Sequence, residues 1–251
     1  MSSLVETPTL SLVLACYNEG PSLRQSVQEI LSVLDATRFS YELIFVDDAS
    51  QDGTPELIRS LLQEYAQRPT RAIFHQQNTG RGGAVRDGFL AAQGAIVGFI
   101  DVDLEVPAHY LVSCVLAIQQ GADVAVGKRV YKFAWRSLDR HLMSKGYAWL
   151  VRRALRLDGL TDTEAGYKFF RRDTVLPLLA QCQDTGWFWD TEIMALCHQA
   201  DLSIREVPCL LVRRFDKVST VRPMRDIADY FVKLVRFRSR MNGSLQPRSW
   251  A

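Results

Sequence analysis

Short apolar runs recur along the first half of this chain, each followed by a helical pattern. That alternation constrains the fold more than anything else in the sequence. The runs cover 9–15, 41–46, 71–75 and 95–100, about 25–30 residues apart. Leu23, Val27, Ile30, Leu31 and Leu34 mark a helix over 21–34, and similar spacing covers 54–65, 82–92 and 108–120. Thr54 and Pro55 read as N-cap and N1 of the second helix. Strands that are apolar throughout and joined by helices predict an α/β fold, with a doubly wound, mostly parallel sheet and helices on both faces. A further strand is expected over 123–127. Past Lys128 the pattern changes to a long basic, aromatic-bearing helix over 136–156, then a loop and strand within 162–172. A helix over 190–199, a strand over 204–212 and a basic amphipathic helix over 226–241 follow. With 251 residues and 47% hydrophobic content, one substantial core is the natural expectation. The expected organisation is a single domain over 1–222 with halves 1–127 and 128–222, then a helix over 223–241 and a fraying tail over 242–251.

The fourth run ends in acids. In Val97-Gly-Phe-Ile-Asp-Val-Asp-Leu-Glu-Val-Pro107 the carboxylates are Asp101, Asp103 and Glu105. Alternate residues of an extended chain share a face, so the three are expected on one side. Three hard oxygen donors at a strand's carboxyl end suit Mg²⁺ or Mn²⁺, and such a cation suits a nucleotide diphosphate. Ala15-Cys-Tyr-Asn-Glu19 follows the first strand, and Asp47-Asp-Ala-Ser-Gln-Asp-Gly-Thr54 ends the second. Both turns belong to the same sheet edge, where ligands of open α/β sheets gather. A tyrosine there can stack on a base, and an aspartate can accept from a base N–H. Asn78-Thr-Gly-Arg-Gly-Gly-Ala-Val-Arg-Asp-Gly88 opens a helix through glycines that let backbone approach an anion. No Gly-Lys-Ser/Thr follows, and no Gly-x-Gly-x-x-Gly follows the first strand, which argues against a Walker motif and a dinucleotide dehydrogenase.

Net charge is only +2, but it is unevenly placed. Residues 1–127 hold 7 Lys+Arg against 15 Asp+Glu, a balance of −8. Residues 128–172 hold 12 against 4, or +8, and residues 205–240 hold 10 against 4, or +6. The first half therefore suits a metal and a nucleotide, the later segments an anion or an anionic surface, and no nucleic-acid partner is expected. Cys16, Cys114, Cys182, Cys197 and Cys209 form no Cys-x-x-Cys pair and read as buried free thiols of a reducing compartment. The N-terminal residues lack the pattern of a signal peptide, and no window approaches a membrane span. A cytoplasmic protein, or one held peripherally at a membrane, is expected. The stretch 226–241 places Ile227, Tyr230, Phe231, Leu234, Val235 and Phe237 on one side and Lys233, Arg236, Arg238 and Arg240 elsewhere. That is the composition of an interfacial helix or of an amphipathic helix packed on a core.

The ordered set Tyr17-Asn-Glu19, Val46-Asp-Asp48, Gly80-Arg-Gly-Gly-Ala84 and Asp101-Val-Asp103 resembles the family 2 glycosyltransferases of the GT-A fold. Asp162-Thr-Glu-Ala-Gly-Tyr-Lys168 and Phe188-Trp-Asp-Thr-Glu192 are similar to the polyprenyl-phosphate branch, the dolichyl-phosphate mannose and glucose synthases and their bacterial relatives. The resemblance runs from about Thr9 to Arg222. It implies inverting transfer of a hexose from a nucleotide-diphosphate sugar (GDP-mannose or UDP-glucose type) to a polyprenyl or dolichyl phosphate. It implies a nucleotide site at Ala15, Tyr17, Asn18, Glu19, Asp47, Asp48, Gly80, Arg81 and Asp101, and Mg²⁺ or Mn²⁺ on Asp101, Asp103 and Glu105. It places the lipid phosphate at Arg129, Arg140, Ser144, Arg214 and Ser219, with Asp101, Asp103, Arg129 and Asp162 as the catalytic set. The family often carries Pro at the position of Ala15 and Gln at that of Glu105. The alternatives are a hydroxyl acceptor, for which Asp162, Asp190 or Glu192 would serve as base, and a non-catalytic nucleotide-binding protein at a membrane surface. A homo-oligomer is left open.

Overall fold

The computed structural model describes residues 7–20, 22–130, 151–155, 157, 160–212 and 223–244, with side chains of the last helix described over 229–241. Two compact units divide the chain. One is Met1–Phe133 with Asp162–Arg214, and the other is Ala134–Thr161 with Phe215–Ala251.

The first unit is built on seven strands: β1 (Leu10–Cys16), β2 (Tyr41–Asp47), β3 (Thr70–Phe74), β4 (Ile96–Ile100), β5 (Val124–Val130), β6 (Tyr167–Arg171) and β7 (Ile204–Leu210). Its helices are α1 (Ser22–Ala36), α2 (Thr54–Glu64), α3 (Arg81–Ala91), α4 (Tyr110–Gln119), α5 (Arg172–Leu179) and α6 (Trp189–Gln199). The sheet order is β3-β2-β1-β4-β6-β5-β7. β1 pairs in parallel with β2 and β4, β2 with β3, and β5 with β7. β1, β2 and β4 are buried nearly throughout, as helices on both faces require. Leu10, Leu12 and Leu14 face Leu23, Val27, Ile30 and Leu31 of α1 and Leu111, Val115 and Ile118 of α4 within one apolar cluster. Phe89 of α3 meets Phe99 of β4, Phe170 of β6 and Trp189 of α6, with ring centroids 6.1, 5.7 and 6.3 Å away.

One strand departs from the parallel pattern. β6 runs antiparallel between β4 and β5, pairing Ile100 with Tyr167 and Val126 with Lys168. Its entry, rather than its exit, therefore sits beside the carboxyl end of β4, where Asp101 N–H donates to Gly166 O at 2.9 Å. This reversal brings a distant loop to the acidic edge.

Three details differ from the sequence expectation. Gly53, not Thr54, is the N-cap of α2. The Thr54 hydroxyl is drawn inward and accepts from Glu19 N–H and Gly20 N–H at 2.9 and 3.2 Å, tying the β1 turn to α2. α5 was not expected, and it carries Pro177 within it. β5 continues to Val130, so Lys128 and Arg129 lie in the strand rather than after it. All five cysteines are free and buried, in line with the sequence.

In the second unit, α7 (Pro223–Ser244) covers the expected basic helix and extends it at both ends. Leu234 and Phe237 are buried, whereas Phe231, Val232 and Val235 are exposed. Of the helix expected over 136–156, only 151–155 falls among the described residues, and these are helical. No helix among the described residues is long and apolar enough to cross a membrane.

Candidate active site

The carboxyl ends of β1, β2, β4 and β5 and the entry to β6 meet on one edge of the first unit. Asp101, Asp103, Glu105 and Arg129 line a cavity there of about 50 Å³, closed by Val106, Gly166, Tyr167 and Leu211. The acids share that cavity for a different reason from the one the sequence suggested. β4 stops at Ile100, and the chain turns immediately instead of staying extended. Leu104 N–H donates to Asp101 O at 3.2 Å, with Leu104 at a φ of 51°. Asp103 Oδ1 accepts from Glu105 N–H at 3.2 Å, and Val212 N–H reaches Glu105 O at 2.7 Å. Strand alternation is thus replaced by a braced turn. Among the described residues, no three acidic, histidine or cysteine side chains stand close enough together to enclose a cation.

Carboxylate oxygens are the donor type a hard divalent ion takes, and Asp101, Asp103 and Glu105 all line the one cavity without closing round a single point. Backbone geometry at Gly166 protects that arrangement. A Cβ on this residue would overlap Oδ1, Oδ2 and Cγ of Asp101.

Behind Asp101 lies a chain of alternating charges. Arg81, at the first position of α3, donates from Nε and Nη2 to Asp101 Oδ1 at 3.1 and 2.6 Å. Its Nη1 donates to Asp190 Oδ2 at the start of α6. Asp190 Oδ1 in turn accepts from Lys168 Nζ at 2.5 Å. Lys168 is completely buried, also donates to Ala165 O, and has its ammonium 5.4 Å from the Phe99 ring. Burial pushes the lysine below its ordinary value, with Asp190 pulling the other way. Burial likewise opposes the Arg81 charge, but Asp101 and Asp190 outweigh it and drive the value further up. Two cations and two anions alternate, so no charge in the row lacks a counter-ion.

A second clamp sits on β5. Asp162 accepts from Arg129 Nε and Nη2 at 2.7 and 2.8 Å, the paired geometry that guanidinium and carboxylate favour. Burial would raise the Asp162 value, but the Arg129 hydrogen bonds and charge prevail and hold it below 3.8. Glu206 of β7 braces this clamp by accepting from Asp162 N–H at 3.2 Å and pairing with Lys128 at 3.1 Å.

The residues expected at a nucleotide divide by exposure. Tyr17 is half exposed, so its ring is accessible for the stacking expected of it. Asn18 locks the two turns together, donating from its N–H to Ser50 Oγ at 3.0 Å and accepting at Oδ1 from Gln51 N–H at 2.8 Å. Ala15 is partly buried beside them, and Glu19 is held through its main chain by Thr54. Asp48 faces inward. Its carboxylate takes Thr79 N–H, Thr79 Oγ1–H and Gly80 N–H, each at 2.8 Å, and pairs with His75 Nδ1 at 2.8 Å. It thereby sets the loop that starts α3. Asp47 is buried too, and its Oδ1 has no hydrogen-bond partner. Of the expected anion-binding residues, Arg129 lies on the cavity, while Arg140, Ser144, Arg214 and Ser219 lie outside the described residues.

Sequence reasoning missed Gly166, Lys168 and, with its ring 5.1 Å from the Arg81 guanidinium, Trp187 as neighbours of this site. The first two stand inside Asp162-Thr-Glu-Ala-Gly-Tyr-Lys168, a segment already singled out. Their roles depend on the antiparallel insertion of β6, which the parallel pattern did not announce.

The family model described as glycosyl transferase family 2 matches residues 11–177. Glycosyltransferase AglD of Haloferax volcanii is 32% identical over 79% of this chain and 32% of that protein. The human dolichyl-phosphate beta-glucosyltransferase is 29% identical over 82% of this chain and 69% of that protein. The chain thus spans about a third of the one and about two thirds of the other. Among solved structures, glucosyl-3-phosphoglycerate synthase from Mycobacterium tuberculosis, in complex with Mn²⁺, UDP-glucose and glycerol 3-phosphate, superposes with a TM-score of 0.66. It is 21% identical, covers 96% of this chain and is itself covered over 82%, a likeness that shows the fold.

Proposed function

The chain belongs to glycosyl transferase family 2, and from that premise we propose that it moves a hexose from a nucleotide-diphosphate sugar to a polyprenyl or dolichyl phosphate at a membrane surface. Relatives named dolichyl-phosphate beta-glucosyltransferase favour glucose as the sugar. A uridine diphosphate donor is favoured by the UDP-glucose complex of a protein with this fold.

The Asp162–Arg129 clamp carries the proposal on the acceptor side. A sugar-hydroxyl acceptor needs a group to take its proton. Asp162 is held ionised by both guanidinium contacts, with its basicity depressed. Asp190 is engaged on both oxygens by Arg81 and Lys168. Neither acid is poised as a base. A phosphate monoester needs none, because its second pKa is about 6. Arg129, fixed by Asp162 on the wall of the acidic cavity, suits the incoming phosphate, with Arg140, Ser144, Arg214 and Ser219 as its proposed companions.

On the donor side, Tyr17, Asp47 and Asp48 would receive the nucleoside, and Arg81 would hold Asp101 in place beside the diphosphate. Asp101, Asp103 and Glu105 would hold Mg²⁺ or Mn²⁺, which supplies Lewis-acid neutralisation of the diphosphate charge when bound. The phosphate oxygen of the acceptor would attack the anomeric carbon opposite the departing nucleotide, inverting that centre. The exposed Phe231, Val232 and Val235 of α7, with Arg236 and Arg238 exposed beside them, suit an anionic leaflet. The cytoplasmic face is the proposed location, with contact peripheral.

The test is a panel of UDP-glucose, GDP-mannose and UDP-N-acetylglucosamine against dolichyl and undecaprenyl phosphate, with the lipid product read by mass spectrometry. A glycosyl phospholipid from one donor is expected. Transfer to soluble saccharides with none to lipid phosphate would move the protein to the hydroxyl-acceptor reading. Nucleotide binding without any transfer would make it a non-catalytic member.

A further inference from the structure

Trp187 is the most exposed large apolar side chain among the described residues, at 62%. Single exposed apolar residues need no explanation in general. This one stands against the charge row of the site: its ring lies 5.1 Å from the Arg81 guanidinium carbon, while the same guanidinium holds Asp101 at 2.6 Å.

The loop that carries the tryptophan is anchored at many points. Glu192 of α6 accepts from Gln183 N–H at 3.1 Å and from Asp184 N–H at 2.8 Å. Asp184 Oδ1 accepts from Gly186 N–H at 2.8 Å. Gly83 N–H of α3 donates to Thr185 O at 3.0 Å. The glycines of α3 make the close approach feasible. A Cβ on Gly80 would meet Thr185 O at 2.5 Å, and one on Gly82 would overlap Trp189. The backbone on either side of Trp187 is therefore set before any ligand arrives, while the ring itself stays in solvent. A floppy surface loop would leave an exposed indole uninformative, whereas a braced one presents it in a fixed place.

We propose that Trp187 is the platform for the sugar of the donor, its indole face packing on the C–H face of the hexopyranose while the diphosphate lies toward Asp101. This deepens the transferase reading and rests on it. The chemistry is complementary: a pyranose offers an apolar C–H surface and outward hydroxyls, and an aromatic ring with polarised faces takes the former. Cation contact with Arg81 on the inner side keeps the ring oriented and adds to its electrostatic definition. Trp187 would thus contribute to recognition of the sugar and not of the nucleotide.

The experiment compares binding of UDP and UDP-glucose by calorimetry, with GDP and GDP-mannose in parallel, for the wild type, W187A and W187F. W187A is expected to weaken the sugar nucleotide by about tenfold, or about 1.4 kcal/mol, and to leave the plain diphosphate within about twofold. W187F should recover most of the loss, since it keeps an aromatic face. Equal weakening of diphosphate and sugar nucleotide would overturn the proposal, because the residue would then act through Arg81 or the loop. Unchanged binding of both with a raised KM for the lipid phosphate would overturn it as well, by placing the ring on the acceptor side. If the wild type binds the diphosphates but gains nothing from either sugar, the platform is wrong while the nucleotide site stands. If it binds no nucleotide at all, the transferase reading falls, and the platform with it.

Discussion

Replacing Gly166 by alanine isolates the link between fold and site. The added methyl would overlap the whole Asp101 carboxylate, so that side chain must retreat by roughly 1–2 Å to reach ordinary van der Waals separation. The carboxylate is 43% exposed and has solvent to move into, so the backbone ladder between β4 and β6 has no need to break. What is lost is the pair of hydrogen bonds from Arg81 at 3.1 and 2.6 Å. Bonds to charged groups contribute about 1.5–3 kcal/mol each, but exposure of the acceptor and the surviving Asp190 contact reduce the net cost to about 1–2 kcal/mol. In a protein of this size that lowers Tm by about 2–8 °C. Misplacing a site carboxylate by an ångström costs on the order of 10²-fold in rate. The assay is a double-mutant cycle with D101A, followed by thermal unfolding and glycosyl-lipid formation. If the methyl acts through Asp101, G166A adds almost nothing to Tm or rate once Asp101 is alanine. An undiminished effect in the D101A background, or wild-type turnover in G166A alone, would refute the reasoning.

Three further outcomes follow from the same geometry. Lys168→Met removes a fully buried cation and leaves Asp190 with Arg81 alone, so chemical denaturation should show a loss of roughly 3 kcal/mol, and a loss under about 1 kcal/mol would contradict the row of alternating charges. Arg129→Met releases Asp162 from the contacts that keep it below 3.8, leaving burial to raise it. In the wild type the ionised Asp162 contributes stability that is present above pH 3.8 and fades as pH falls through its lower folded value. The variant lacks that contribution at neutral pH, so the stability gap between wild type and variant should close as pH falls below 3.8, and a gap that does not change with pH would count against the clamp. Charging the exposed stripe of α7 as F231E/V235E, which leaves the buried Leu234 and Phe237 in place, should cut co-sedimentation with phosphatidylglycerol vesicles at least about tenfold. Equal binding by wild type and variant would take α7 out of the membrane contact.

The sequence exposes some parts of this molecule and conceals others for identifiable reasons. Strands β1, β2 and β4 were legible because burial on both faces demands nearly unbroken apolar runs. β3 is only partly buried and still readable from its place in the alternation. The acids at 101, 103 and 105 were readable as a site but not as a shape, since Asp103 capping its own turn leaves no periodic trace. Asp48 is readable as a candidate nucleotide residue because Asp-rich turns on a sheet edge invite that reading, but its part in setting the loop before α3 is not. Its carboxylate meets His75, Thr79 and Gly80, which lie 27, 31 and 32 positions away, and only the fold brings them together. Arg81 and Asp190 are 109 positions apart, and no spacing rule reaches that far.

That distance also explains how an acidic edge tolerates its own charge. Residues 1–127 carry a balance of −8, and the sheet gathers much of it at the ends of β1, β2 and β4. Left unpaired, carboxylates crowded at low dielectric would protonate or repel. Arg81 at the start of α3 pairs directly with Asp101, and Arg129 of β5 lines the acidic cavity, while Lys168 of the reversed strand β6 stands behind them on Asp190. Each cation is itself held by an acid of the second half of the chain, Asp162 for Arg129 and Asp190 for the other two. The acids near the cavity therefore serve two purposes. Asp101, Asp103 and Glu105 front the cavity, whereas Asp162 and Asp190 fix the cations that keep it assembled. Asp162 and Asp190, each engaged by guanidinium or ammonium groups, are suited to holding those cations in place for charge that arrives already formed, and ill suited to withdrawing a proton from a neutral acceptor.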